Sequence, residues 1–226
     1  MDWYKKTAVI VGASFIIATV TAIMTIGFLG TSLDPPGYFV AVAANEVNIV
    51  LAVIFWVILA GSVTVIGVFM FPILKKHHEG LAIGYVGLRL VESMCILISS
   101  IALLSLLSVS KEYVVFSGDV SIYQPVGTML IALQEWSFLI GTLIFLGLGG
   151  LILYYQVYKL QLVPPWLSIW GFIGAGLVAL YGVLGLFDLA VDATLLNILA
   201  APIAVQEMVF AVWLIVKGFR LDALKG

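Results

Sequence analysis

Six long apolar runs, separated by short polar breaks, constrain the fold of this chain more than any other feature. Crossing the roughly 30 Å hydrocarbon layer of a bilayer takes about 20 helical residues at about 1.5 Å each. Backbone groups inside lipid find no water, so each run must be helical. The runs cover approximately residues 8–29, 45–74, 81–107, 126–158, 166–187 and 195–216.

The composition agrees with a membrane protein. Of the 226 residues, 63% are hydrophobic and only 10% are charged, and mean hydropathy is +1.22. Soluble domains are about half apolar and about a quarter charged. We therefore expect residues 1–226 to form a single all-α domain, a polytopic bundle of six transmembrane helices in contact with the lipid bilayer. A net charge of -2 without any block of like charges excludes nucleic acid as a partner.

The breaks at 34–37, 75–80, 108–125, 163–165 and 188–192 are predicted to be loops, and none is long enough for a soluble domain. The second and fourth runs are longer than a bilayer requires, so we expect each to tilt, protrude or begin as an interfacial segment. The stretch after residue 36 is the favoured case. Glycines at 80 and 84, 147–150 and 171–176 are expected to allow close helix packing.

The basic residues predict the orientation. Eight fall at one end of the predicted bundle, namely Lys5, Lys6, Lys75, Lys76, Lys159, Lys217, Arg220 and Lys225, whereas only Lys111 falls at the other. The positive-inside rule then places both termini in the cytoplasm. The predicted outer loops carry the acidic residues, namely Asp34, Glu112, Asp119, Asp188 and Asp192. The concentration of lysine and arginine at the opposite end is enough to explain this acidic face without a functional role.

Metal and cofactor chemistry find little support in the sequence. Cys95 is the only cysteine, so one chain builds neither a disulfide framework nor a cysteine-based metal site. His77 and His78 are consecutive, so on a helix they point apart, and we expect no metal site there. No cofactor is identified. Every lysine is predicted outside the membrane core, so none can form a covalent imine there, and no nucleophile accompanies Glu92 and Glu207. The sequence therefore favours a protein that is not an enzyme.

Three charged residues are predicted to lie near the middle of the membrane. At about 1.5 Å per residue, Arg89 is roughly 12 Å past the start of the third run, Glu92 is roughly 16 Å past it, and Glu207 is roughly 15 Å from Lys217. Ionisable side chains at this depth cost about 2.5 to 3.5 kcal/mol on insertion scales and normally face protein with a partner. Arg89 and Glu92, three residues apart, share a helix face. We predict direct contact among all three.

The same count places the other candidate ligands further out. Glu135 is about 36 Å from Lys159, and Glu46 is still further from Lys75, so both are predicted at the outer mouth of a cavity that ends at the charged triad. Gln134 and Gln206 are candidates for neutral ligands of that cavity.

Three functions remain open for the triad. Two glutamates around one arginine leave one surplus negative charge or one bound proton, which suits a small cation, a proton relay or a charged solute. Alternatively, the glutamates only neutralise Arg89 and fix the helix register of an accessory or scaffold subunit that packs on a partner membrane subunit or another copy of itself. Third, Glu92 and Glu207 act as acid and base in an intramembrane enzyme that uses lipid.

Three stretches, at 71–92, 163–171 and 206–219, resemble the prokaryotic membrane proteins grouped as domain-of-unknown-function family 4386. They include Arg89, Glu92, Gln206 and Glu207, which were selected independently by their depth. The resemblance implies six spans in a prokaryotic cell membrane and supplies no activity, substrate or cofactor.

Overall fold

The computed structural model of the chain describes residues 3–34, 37–116, 120–187 and 193–220. These residues form helices and short turns, and no strand occurs within those ranges. The helices are α1 (Trp3–Leu29), α2 (Tyr38–Ala44), α3 (Glu46–Leu74), α4 (Glu79–Phe116), α5 (Val120–Leu139), α6 (Leu146–Lys159), α7 (Pro165–Leu186) and α8 (Ala193–Val216). A π-helical turn, Ile140–Phe145, joins α5 to α6 without a break.

Within the described part of the chain, six helical segments are long and apolar enough to cross a membrane: α1, α3, α4, the continuous α5–α6 unit, α7 and α8. They match the six predicted runs, and most ends agree within a few residues. The prediction of an all-α six-helix bundle is therefore confirmed. A glycine in the left-handed conformation, Gly218 at φ 73°, ends α8, and its N–H donates to the carbonyls of Trp213 and Leu214.

The predicted loop at 108–125 is wrong over most of its length. Helix α4 continues to Phe116, and α5 begins at Val120 with Pro125 inside it. Ser108 does not end the helix because its hydroxyl donates to the Leu104 carbonyl of the same helix at 3.1 Å. The predicted loop at 188–192, together with Asp119 and Lys225, lies outside the described residues.

The segment after residue 36 is a separate helix, α2, rather than the start of a single long span. Asn45 separates it from α3, and the Asn45 amide donates back to the Ala41 carbonyl at 2.9 Å. Helix α2 packs mainly against α4, where Phe39 stacks on Tyr113 with ring centroids 4.9 Å apart.

The six spans form a closed ring in chain order: α1 packs on α3, α3 on α4, α4 on α5–α6, α6 on α7, α7 on α8, and α8 on α1. Glycines make the closest approaches possible. A Cβ at Gly12 would lie 2.7 Å from the Ala211 carbonyl oxygen, and one at Gly147 would lie 2.7 Å from the Ala175 carbonyl oxygen. The expected packing role is thus confirmed at Gly147. The ring surrounds the charged residues at its centre.

Candidate functional site

A buried ion pair forms the centre of the site. Arg89 is 2% exposed and Glu92 is 1% exposed, and the Arg89 Nη1 donates to Glu92 Oε2 at 2.9 Å. The Arg89 Nε donates to the Tyr85 hydroxyl at 3.1 Å. Residues 85, 89 and 92 lie three and four apart on α4, so one helix face carries all three side chains. The predicted contact between Arg89 and Glu92 is confirmed.

Neighbouring helices hold the Arg89 side chain in place. Its guanidinium lies over the rings of Tyr85 and Phe15, with its central carbon 5.4 Å and 5.9 Å from the two centroids. A Cβ at Gly67 would lie 3.1 Å from the Arg89 Cβ, so the glycine lets α3 pack against the arginine stem. The Arg89 Nη2 is buried and has no hydrogen-bond partner among the described residues. The guanidinium therefore keeps unused donor capacity.

Glu207 differs from Glu92 in its contacts. Its side chain on α8 is partly buried, and within the described ranges it forms no ion pair and no side-chain hydrogen bond. It still interacts electrostatically with Arg89, by attraction, and with Glu92, by repulsion. The prediction that all three side chains make direct contact is therefore wrong for Glu207. The rotation of α8 about its axis is set by packing on α1 and α7, which a count of depth does not include.

Arg89, Glu92 and Glu207 nevertheless line one cavity at the centre of the ring. The cavity has a volume of about 340 Å³. Every span contributes to its wall, for example through Phe15, Val63, Arg89, Thr142, Val178 and Glu207. From the charged residues it extends along the C-terminal half of α1 to Ile23 and Ile26, both of which are exposed. It therefore leads toward the end of the bundle opposite Lys5 and Lys217.

The remaining predicted ligands do not line this cavity. Glu46 instead pairs with Lys111 at 2.7 Å, with both side chains about half exposed. Glu135 is exposed, and Gln134 is buried at a contact with α4 where its backbone carbonyl accepts a bond from Ser99 at 3.0 Å. The two glutamates predicted at the cavity mouth, Glu46 and Glu135, and the predicted neutral ligand Gln134 are thus absent from the described cavity wall, because depth alone does not give the direction in which a side chain points.

Gln206 is also outside the cavity. It is fully buried, and its amide donates to the Leu167 carbonyl on α7 at 3.0 Å. Consecutive helical residues point about 100° apart, so Glu207 faces the cavity while Gln206 faces α7. The geometry gives Gln206 a contact between helices rather than a position against the cavity.

Several site residues were missed by reasoning from charge. Tyr85 had a usable signal, since it precedes Arg89 by four residues. For Phe15 the sequence gave no signal except its position within an apolar span. Thr142 lines the cavity from the π-helical turn, where its hydroxyl donates to the Phe138 carbonyl at 2.6 Å. Such turns are frequent at functional sites, but periodicity in the sequence does not reveal them.

Comparison with known proteins gives a family and no activity. A family profile described as a domain of unknown function, DUF4386, matches residues 10–218. No curated protein and no solved structure matches the chain.

Proposed function

The chain belongs to the DUF4386 family of membrane proteins of unknown function, and from its central site we propose that it binds, and moves across the membrane, a small cation or a proton. The single observation that carries the proposal is Glu207, a carboxyl group without an ion-pair partner in the described part of the chain, facing a cavity at the centre of six spans. The proposal does not require catalysis by the protein.

The charges of the site favour a positive ligand. Arg89 and Glu92 neutralise one another at 2.9 Å, so an ionised Glu207 leaves one negative charge in the cavity wall. An uncompensated charge is costly in a low-dielectric interior, and either a bound cation or a proton removes it. Because the Arg89–Glu92 pair has no net charge, it does not attract small anions.

Among cations larger than a proton, the cavity walls favour a small organic one with apolar surface. Apart from the three charged residues and two threonines, the lining consists of apolar side chains, including Phe15 and Phe138. Pockets of this kind bind through apolar contact and use a few polar groups to orient the ligand. With the orientation predicted from the lysines, the cavity leads to the outer face of a prokaryotic cell membrane, so the ligand enters from outside.

The test replaces Glu207 by Gln, which keeps the size of the side chain and removes its charge. Two probes are used on purified protein: tetraethylammonium binding by calorimetry, and proton flux into protein-containing liposomes with a trapped pH dye. Glu207→Gln should abolish whichever signal the wild type gives, whereas the exposed control Glu135→Gln should keep it. A Glu207→Gln variant with wild-type binding and flux contradicts the proposal.

A second candidate is a scaffold subunit, and the contacts of Arg89 favour it specifically. Glu92, Tyr85 and Phe15, all groups of the protein itself, contact the guanidinium on several sides. In that case the charged site fixes the helix register, and a partner subunit or a second copy supplies the function. Chemical crosslinking in native membranes followed by purification distinguishes the two: a scaffold gives a defined partner and no response to either probe.

A further inference from the structure

We propose that the central cavity opens to the lipid, through a cleft between the C-terminal half of α1 and the N-terminal half of α8, and that its ligand is an amphiphilic organic cation. The proposal rests on the proposed function, because Glu207 is again the group that binds the positive charge. It adds the entrance to the cavity and the chemical class of the ligand.

Helices α1 and α8 pack tightly at the end of the bundle that carries Lys5 and Lys217. A Cβ at Gly12 would lie 2.7 Å from the Ala211 carbonyl oxygen and 2.8 Å from the Ile215 Cγ1. Gly12 and Ala211 are both buried. The two helices therefore touch at this level, and no ligand passes between them here.

On α1 the face that contacts α8 becomes exposed toward the C-terminal end of the helix. Thr19, Ile23 and Ile26 follow Gly12 at successive intervals of seven, four and three residues, which keeps them on the same helix face. All three line the central cavity. Ile23 is 61% exposed and Ile26 is 71% exposed, although Gly12 on the same face is buried.

The matching face of α8 changes in the same way. Ala204 precedes Ala211 by seven residues, and Ala200 precedes Ala204 by four, so these residues share a face. Ala200 and Ala204 line the central cavity, and Ala204 is exposed. At about 1.5 Å per residue, Ala204 lies roughly 10 Å along α8 from the tight contact at Ala211. The described parts of α1 and α8 therefore separate over this distance and form a cleft, the α1–α8 cleft, which leads to Glu207.

The α1–α8 cleft opens within the apolar segments rather than at their ends. Ile23 lies six residues before α1 ends at Leu29, and Ala204 lies six residues after the span that begins at Ile198. Each position is thus about 9 Å inside its span. A ligand that enters between these residues in a bilayer comes from the acyl chains and not from water.

The wall of the cavity selects an amphiphilic cation. Its charged side chains, among the described residues, are Arg89, Glu92 and Glu207. Arg89 and Glu92 pair at 2.9 Å, so an ionised Glu207 leaves one negative charge at the end of an otherwise apolar path. Inorganic cations are strongly hydrated and are excluded from acyl chains, whereas a cation shielded by apolar groups dissolves in them. The cavity volume of about 340 Å³ suits a small molecule of this kind.

Binding of tetraphenylphosphonium to the protein in lipid nanodiscs tests the ligand class, with empty nanodiscs as the background. We expect it to bind at least about tenfold more tightly than tetraethylammonium, because burying about 60 Å² of additional apolar surface corresponds to that factor. Glu207→Gln should abolish the binding. A Glu207-dependent response to tetraethylammonium or protons without tetraphenylphosphonium binding overturns this inference and leaves the proposed function standing. Absence of all three responses overturns both.

A substitution in the α1–α8 cleft tests the entrance. Ala204→Phe places a ring between the two helices and should weaken tetraphenylphosphonium binding at least about tenfold. The control is Ala201→Phe, because Ala201 is also exposed on α8 but is absent from the described cavity wall, and its affinity should stay within about twofold of the wild type. Equal affinities of the two variants, both folded by thermal unfolding, overturn the inference.

Carbodiimides of different solubility test the entrance without any substitution. In proteoliposomes the lipid-soluble dicyclohexylcarbodiimide should modify Glu207. The water-soluble reagent 1-ethyl-3-(3-dimethylaminopropyl)carbodiimide should modify the exposed Glu135 and spare Glu207. Modification of both glutamates by the water-soluble reagent at similar rates would mean that the cavity opens to water, which overturns the inference while agreeing with the proposed function.

Discussion

Replacing Glu92 by Gln should destabilise the protein far more than the same change at Glu207. Removing one partner of a buried ion pair costs about 3 to 5 kcal/mol because the other charge stays buried. Glutamine still accepts a hydrogen bond from the Arg89 Nη1, so we expect the free energy of unfolding to fall by about 3 kcal/mol, the lower end of this range. At about 2 to 4 °C per kcal/mol for a chain of this size, the melting temperature should fall by about 6 to 12 °C.

The expected effect of Glu207→Gln is small because its contributions oppose one another. The change removes attraction to Arg89, but it also removes repulsion by Glu92 and the desolvation of a carboxylate without a direct partner. We expect a change within about 1 kcal/mol. Thermal unfolding in detergent, followed by tryptophan fluorescence at fixed protein concentration, measures both variants. Equal losses for the two, or no loss for Glu92→Gln, would refute the assignment of Glu92 as the partner of Arg89.

Two further predictions concern packing and the outer surface. Gly147→Ala should lower the free energy of unfolding by about 1 to 3 kcal/mol, because its Cβ would lie 2.6 Å from the Ala179 Cβ. The control Gly87→Ala, whose Cβ would meet no neighbouring atom within 4 Å, should be neutral or stabilise by up to about 1 kcal/mol. Thermal unfolding compares the two variants, and equal effects contradict the packing of α6 on α7. Lys111→Ala should cost less than about 1 kcal/mol, because its pair with Glu46 is half exposed, and a larger loss in the same assay would mean that this pair fixes α4 against α3.

The spans were predictable because lipid imposes a length and a helical backbone on every crossing segment. The same reasoning failed at residues 108–116 and 120–125, which are helical despite their polar residues. Serine hydroxyls that bond the carbonyl four residues earlier satisfy themselves without a turn, as at Ser108. A polar composition is therefore a weak predictor of where a helix ends.

The charged site was predictable in depth but not in direction. Counting residues brought Arg89, Glu92 and Glu207 to one level, and the structure has all three in the wall of one cavity. The spacing within α4 also gave the Arg89–Glu92 contact, since residues three apart share a face. Contacts between helices depend on the rotation of each span, which packing sets. For that reason the count could not separate Glu207, which faces the cavity, from its neighbour Gln206, which faces α7.

Glu207 lines the cavity without an ion-pair partner in the described part of the chain, whereas Glu92 is paired with Arg89. Dicyclohexylcarbodiimide, a hydrophobic reagent that modifies carboxyl groups within membranes, tests it directly when the adducts are mapped by peptide mass spectrometry. We expect modification of Glu207, no modification of Glu92, and loss of the α8 adduct in Glu207→Gln. Preferential modification of Glu92, or an unreactive Glu207 in folded protein, would contradict it.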